Sequence, residues 1–338
     1  MNSKERVLNI LQGNVVDQRP FTALLSLYGA GLTGCPLREY YADAAAYARG
    51  QTAVRETFQP DILFSPFLLV ALGEAFGADA KYFDNAPPNL LRPAITSAEE
   101  IAHVAVPDID AHPRLLYIRE SIRRIAESHG SEVVAAAILL SPVDLPLMIM
   151  GLDNWMETVL FDEDGVQRML DVTIPFFLQY ANALLEDGAD VLVLPAAFLT
   201  PSLVPPDVVE RFTLPVLRDV FAGVQGPIVI HHAGGPFLKF LDRFSGLPNV
   251  VGFVLDHQDD LCAAREKAGP DVTLLGGLDG PNVGKGTPEE IEAQCLALLK
   301  NRQNDPRFIL GTSGPDVALT TPLENIRAMR QAVAVFQG

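Results

Sequence analysis

The sequence predicts an α/β protein built as a single (β/α)8 TIM-type barrel, with an N-terminal extension and an inserted hairpin or lid. Three observations carry that prediction. Eight short β-prone apolar runs recur along the chain, long amphipathic stretches at helical spacing separate them, and no break in composition divides the 338 residues. Residues 1–338 therefore read as one domain.

The chain opens on Met1 to Gln12, where Lys4, Glu5 and Arg6 interrupt the apolar positions. That pattern suits a short amphipathic helix and not a signal peptide. The apolar runs follow: Phe21 to Leu27, Asp61 to Ser65, Glu132 to Leu140, Val191 to Leu194, Ile228 to His232, Val250 to Asp256, Val272 to Leu278, and Phe308 to Gly311. Between them lie helix-like blocks such as Asp162 to Asp187, Pro206 to Val224, Thr287 to Asn301 and Pro322 to Phe336. Two of these start on Pro-Glu-Glu and Pro-Leu-Glu, which places proline and acids in the first turn where both are favourable. The segment Glu74 to Pro107, containing Ala86-Pro87-Pro88, is too long for a simple βα connection and is expected to decorate the barrel as a hairpin or lid.

Hydrophobic residues make up 49% of the chain and charged residues 20%, which supports a sizeable core and argues against bulk disorder. A formal net charge of −17 disfavours nucleic acid or an anionic membrane as the main partner. The apolar stretch Val133 to Met150 is interrupted by Pro142, Asp144 and Pro146 and does not read as a membrane span. Cys35, Cys262 and Cys295 are far apart and odd in number, so neither a disulfide framework nor a paired-cysteine metal knuckle is indicated; a cytoplasmic location is expected.

In barrels of this type the chemistry sits where the strands end. The residues that close the runs are Tyr28, Ser65 with Pro66, Ser141 with Asp144, Pro195, His231 with His232, Asp256 with His257, Asp279, and Ser313 with Asp316. The pair His231-His232 is the most informative, because two imidazoles end the apolar run Pro227-Ile228-Val229-Ile230 just before Ala233-Gly234-Gly235. Adjacent strand residues point to opposite faces, so one of His231 and His232 and one of Asp256 and His257 are expected inward, together with Asp279. Such a set could hold a divalent metal or act as acid, base and orienter. Alternatively, Asp256 and Asp279 cap the following helices or pair with a cation. Gly276-Gly277-Leu278-Asp279-Gly280 reads as a tight turn, since it lacks the lysine and the spacing of a phosphate loop. Tyr28, Phe67, Met148 and Phe198 suggest either an apolar substrate or lid packing.

Several segments in shared order resemble the uroporphyrinogen decarboxylase superfamily, and within it the cobalamin-dependent methyltransferase branch. They are Lys4-Glu5-Arg6-Val7-Leu8, Pro36 to Asp43, Leu72-Gly73-Glu74-Ala75-Phe76-Gly77, Glu186-Asp187-Gly188-Ala189-Asp190, Gly226 to His231, Gly277-Leu278-Asp279 with Gly286-Thr287-Pro288-Glu289-Glu290, and Thr321 to Ile326. The resemblance implies a distorted barrel with its site at the C-terminal strand ends. The decarboxylases themselves are less similar: their arginine-rich N-terminal segment has no counterpart around Phe21 to Gly31, and Pro66 stands where an acid follows the Phe-Ser pair. The thiol-methylating members carry zinc on His-x-Cys and a distant Cys. His231 matches that histidine, but Ala233 replaces the first cysteine and Gly311 to Asp316 contains none.

O-demethylating relatives use carboxylate and histidine ligands, which implies a site from His231 or His232 with Glu74, Asp256 or His257. The resemblance thus implies a corrinoid-dependent methyltransferase that moves a methyl group between a small methylated substrate, an aryl methyl ether among them, and a corrinoid protein. In that reading His231, His232, Asp256 and Glu74 are catalytic, with His231 a zinc ligand. Tyr28, Ser65, Asp144, His257, Asp279 and Ser313 contact substrate. The alternatives are a uroporphyrinogen decarboxylase-like lyase and a non-catalytic barrel that binds a tetrapyrrole or corrinoid.

Overall fold

Ten strands organise the computed structural model, which describes residues 1–233, 235, 236 and 238–336. They are β1 (Phe21–Thr22), β2 (Ile62–Phe64), β3 (Asp79–Lys81), β4 (Asn89–Arg92), β5 (Val134–Ile138), β6 (Val191–Ala196), β7 (Ile228–His232), β8 (Val250–Leu255), β9 (Thr273–Asp279) and β10 (Phe308–Ser313). Eight of them form one sheet in the order β1-β10-β9-β8-β7-β6-β5-β2, with parallel neighbours throughout. The remaining two, β3 and β4, pair antiparallel as the hairpin expected within Glu74 to Pro107.

The barrel closes between β1 and β2 without a regular ladder. The Asp61 N–H donates to the Phe21 carbonyl at 2.8 Å, and the Phe21 N–H donates to Asp61 Oδ2 at 2.7 Å. The other Asp61 oxygen accepts from Arg6 Nη1 at 3.0 Å, while Arg6 Nε donates to Asp17 at 2.9 Å. The N-terminal helix Ser3–Gln12, opened by an Asn2 and Glu5 capping box, therefore seals the seam from below. It also plugs the N-terminal mouth, because Val7 and Ile10 join the inward-facing Val134, Val191 and Ile309 in one apolar cluster.

That lumen cluster is separate from the larger core between strands and helices. Strands buried on both faces explain why the sequence shows continuous apolar runs in place of alternation. Two expectations need correction. The first run was expected to continue as strand to Leu27, but pairing ends at Thr22. The Leu24 N–H instead donates to Thr312 Oγ1 at 3.0 Å, and the chain turns into the helix Tyr28–Thr33. Pro206 to Val224 is not one regular α-helix: a π-helical segment Val209–Thr213 precedes Pro215, which has no N–H to return to the preceding turn. Among the described residues no helix is long and apolar enough to cross a membrane.

Candidate functional site

Strand β7 ends on the two histidines, whose partners on β6 are Pro195 and Ala196. Backbone alternation predicts divergent side chains, yet the rings stack, with centroids 4.8 Å apart and planes inclined by 12°. Gly314, just past β10, is the reason. His231 Nε2 lies 3.1 Å from the Gly314 carbonyl oxygen, and the Gly314 N–H donates to His232 Nε2 at 2.9 Å. A φ of +79° at Gly314, a left-handed value that glycine adopts without penalty, lets one residue serve both rings.

This arrangement sets both tautomers. A carbonyl only accepts, so His231 carries its proton on Nε2 and leaves Nδ1 as a lone pair, buried and without a hydrogen-bond partner. His232 accepts at Nε2, so its proton is on Nδ1, which lies 3.2 Å from Asp256 Oδ2. That approach is close but not aligned as a hydrogen bond, and its effect is electrostatic. Burial, reinforced by the neighbouring His232, pushes His231 down to about 3; burial and then His257 push His232 down to about 4. Both rings are neutral near pH 7.

From His232 a string of polar groups leads outward. Asp256 Oδ1 lies 3.4 Å from His257 Nδ1, and His257 Nε2 lies 3.5 Å from Asp279 Oδ2. Asn282 donates to that same Asp279 oxygen at 2.8 Å. Exposure rises from 7% for the Asp256 side chain to 37% for His257 and is 29% for Asp279. Asp256 also accepts from the Gln258 N–H at 2.9 Å, so it both shapes its turn and faces two histidines.

On the other side, His231 borders a cavity of about 40 Å³ in the barrel lumen. Ile138, Val193, Val229, Val254, Leu275 and Phe67 supply much of its apolar wall, and Thr22 and Thr312 its hydroxyls. Among the described residues no acid, lysine or arginine borders it.

The remaining predicted residues are occupied elsewhere. Glu74 accepts from the Tyr82 hydroxyl at 2.6 Å and faces Arg114 at 3.3 Å, which ties down the hairpin side of the barrel and keeps Glu74 out of the histidine cluster. Tyr28 donates its hydroxyl proton to the Thr321 carbonyl at 2.5 Å. Ser65 Oγ accepts from the Ile138 N–H at 2.9 Å, and Ser313 Oγ donates to the Leu278 carbonyl at 3.0 Å. Asp144 accepts from Ser141 and from the N–H groups of Ala197 and Phe198 at 2.9 and 3.1 Å; burial pushes its carboxyl up to about 7. Phe67 does reach the lumen, whereas Phe198 is fully buried against Trp155 and Phe212. Gly314 was visible in the sequence only as the end of Thr312-Ser313-Gly314; a glycine directly after the last strand was its one signal.

The donor set does not fit a zinc ion. His231 offers one free nitrogen, Ala233 offers none, and the cavity wall contributes no thiolate or carboxylate. Asp256, His257 and Asp279 are strung end to end across the rings and do not converge on one point. Among the described residues no three His, Cys, Asp or Glu side chains are placed to share a metal.

Comparison with known proteins agrees with this architecture. The family model described as uroporphyrinogen decarboxylase (URO-D) matches residues 2–336. Methylcobamide:CoM methyltransferase MtbA of Methanosarcina mazei is 25% identical, with 96% of each chain covered. Methylcobamide:CoM methyltransferase MtaA of Methanosarcina barkeri is also 25% identical, again with 96% of each covered. Uroporphyrinogen decarboxylase of Paraburkholderia phytofirmans is 27% identical over 88% of this chain and 79% of its own. Among solved structures, a methyltransferase from Methanosarcina mazei superposes with a TM-score of 0.89 at 22% identity, covering 99% of this chain and 98% of the other.

Proposed function

Because the chain belongs to the uroporphyrinogen decarboxylase (URO-D) family, we propose that it is a methyltransferase of that family, moving a methyl group between a small methylated substrate and a corrinoid carried by a separate protein. Whole-length similarity to two methylcobamide:CoM methyltransferases supports methyl transfer. The observation that carries the reading against a decarboxylase is the wall of the lumen, which holds no arginine, lysine or acid. A carboxylate entering it would be stripped of water with no counter-charge, at a cost of roughly several kcal/mol.

A methyl ether, an aryl methyl ether included, suits these groups. In such a transfer the carbon–oxygen bond breaks with both electrons left on oxygen, the methyl group leaves to the corrinoid, and the oxygen takes up a proton from solvent. The corrinoid supplies the electron pair that accepts the methyl group. The chain supplies the rest: an apolar lumen that excludes water and, bordering it, a neutral His231 whose Nε2–H is held by the Gly314 carbonyl. Asp256 holds His232 in its Nδ1–H form and links it through His257 to solvent.

The test is to mix purified protein with cob(I)alamin and a panel of methyl ethers, alcohols, amines and thiols, and to follow the corrinoid spectrum. Methylated corrinoid is expected with at least one oxygen donor and at least a hundredfold less with His231→Ala, a loss on the order of that seen for other positioned hydrogen-bonding groups. No methylated corrinoid with any donor refutes the reading.

A further inference from the structure

We infer that Asp316 is a positioning residue for the histidine pair: its carboxyl fastens the Gly314 turn to the segment after β1, and so holds Gly314 where one residue serves both rings. Such a role holds whatever reaction the site carries out and does not depend on the methyl-transfer reading.

Asp316 closes the last apolar run of the sequence but lies outside the string of polar groups that starts at His232. Its Oδ1 accepts from the Leu27 N–H at 3.2 Å, and the Val317 N–H donates to the Leu24 carbonyl at 2.9 Å. Upstream, Ser313 is in register with Asp279 on β9, and its hydroxyl donates to the Leu278 carbonyl at 3.0 Å. Gly314 and Pro315 therefore bridge two fixed points. The ring of Pro315 locks its φ, and the Gly314 carbonyl lies in the same peptide plane as the Pro315 nitrogen. A displacement at Asp316 thus meets few soft torsions before it reaches the carbonyl that meets His231 and the N–H that meets His232.

The anchor is itself held on several sides. The Ser26 carbonyl accepts from the Tyr40 hydroxyl at 3.1 Å and from Gln51 Nε2 at 3.2 Å, and Ser26 Oγ accepts from the Phe67 N–H at 2.9 Å. Phe67 borders the lumen cavity. Ser26 and Leu27 therefore tie the histidine turn, through Asp316, to the same frame that places part of the lumen wall. Asp316 is also buried with its second oxygen, Oδ2, unpartnered. A buried carboxyl left in that state opposes folding, so stability alone gives no reason for it, whereas the need for an acceptor at this one point does.

The experiment labels the full chain with ¹⁵N-histidine and reads the ring nitrogens of His231 and His232 in the folded protein at neutral pH. The native chain is expected to show one tautomer for each ring, with the proton on Nε2 of His231 and on Nδ1 of His232. Asp316→Ala should lose that single pattern at both rings. Asp316→Asn, whose amide oxygen still accepts from Leu27, should keep it. A merely structural role would lower stability and leave the tautomers of the folded chain as they are. Rings unchanged in the Ala variant, or changed alike in both variants, overturn the inference. If Asp316→Ala does not fold, hydrogen exchange in the native chain decides. The Leu27 and Gly314 amides should then open as one unit, with protection factors within about tenfold of each other, and a larger difference overturns the inference. None of these readouts uses methyl transfer, so a chain that methylates no corrinoid removes that reading and leaves this one standing.

Discussion

Replacing Asp316 by Asn should remove one of two like contributions to a pH-dependent loss of stability, the other being that of Asp144. Asp316 follows β10 and is buried; Oδ1 accepts from the Leu27 N–H at 3.2 Å, and Oδ2 has no partner. Burial pushes its carboxyl up to about 7 from an ordinary 3.8, against the pull of backbone N–H groups of Leu27 and Ser26. The sign follows from proton binding. Between about pH 4 and pH 7 the native chain holds a proton that the unfolded chain has released, so each rise in pH within that window favours unfolding. From pH 5 to pH 8 the native state titrates across two of those units, which at about 1.4 kcal/mol per unit is a loss of about 3 kcal/mol. Asn keeps the oxygen for Leu27, carries no charge and does not titrate. Urea unfolding of both proteins at pH 5, 6, 7 and 8 measures the effect. The curve of stability against pH should be flatter for Asp316→Asn by about 3 kcal/mol across that range. Parallel curves would show that the buried carboxyl does not hold its proton, and the burial argument would fail.

Gly314→Ala forces a side chain into a backbone with φ +79° and disturbs the contacts to both histidines. Stability should fall by about 1–2 kcal/mol while methyl transfer falls far more steeply; equal retention of activity would separate Gly314 from the site. His232→Phe removes the acceptor for the Gly314 N–H and the ring facing Asp256, and ¹⁵N spectra should then show His231 losing its single Nε2–H tautomer. An unchanged His231 tautomer argues against the glycine clamp. Asp61→Asn breaks a buried pair with Arg6 at the barrel seam and should cost about 3 kcal/mol in chemical unfolding; a change under about 0.5 kcal/mol would mean the seam is held by the backbone alone. Dialysis against a metal chelator should leave methyl transfer unchanged, because the ligands do not converge. Activity lost on chelation and regained with zinc would refute that reading of the donor set.

Much of the fold was legible without coordinates. Continuous apolar runs located all eight barrel strands, and the strand Ile228–His232 coincides with its run residue for residue. The hairpin was readable from a connection too long for its place, and the amphipathic first helix from its charge spacing. The proline effect at Pro215 and the early end of β1 were not, since both depend on which hydrogen bonds the neighbouring segments offer.

The site divides along the same line. Strand-end position and side-chain chemistry singled out His231, His232, Asp256, His257 and Asp279, and the structure strings these five together. Identical reasoning also named Tyr28, Ser65, Asp144 and Ser313, and the family resemblance added Glu74; the hydrogen bonds of these five hold local structure. Strand alternation argued that the two histidines diverge, and only the approach of Gly314 from β10 brings their rings together. By itself the sequence determined the barrel and which polar side chains stand at its strand ends, because both follow from local apolar runs and side-chain type. Tertiary structure alone decided which nitrogen of each imidazole is free and that the wall around His231 carries no counter-charge. The first depends on contacts between β7 and a turn more than eighty residues away, the second on which side chains of separate strands share one lumen, and no local pattern encodes contacts of that range.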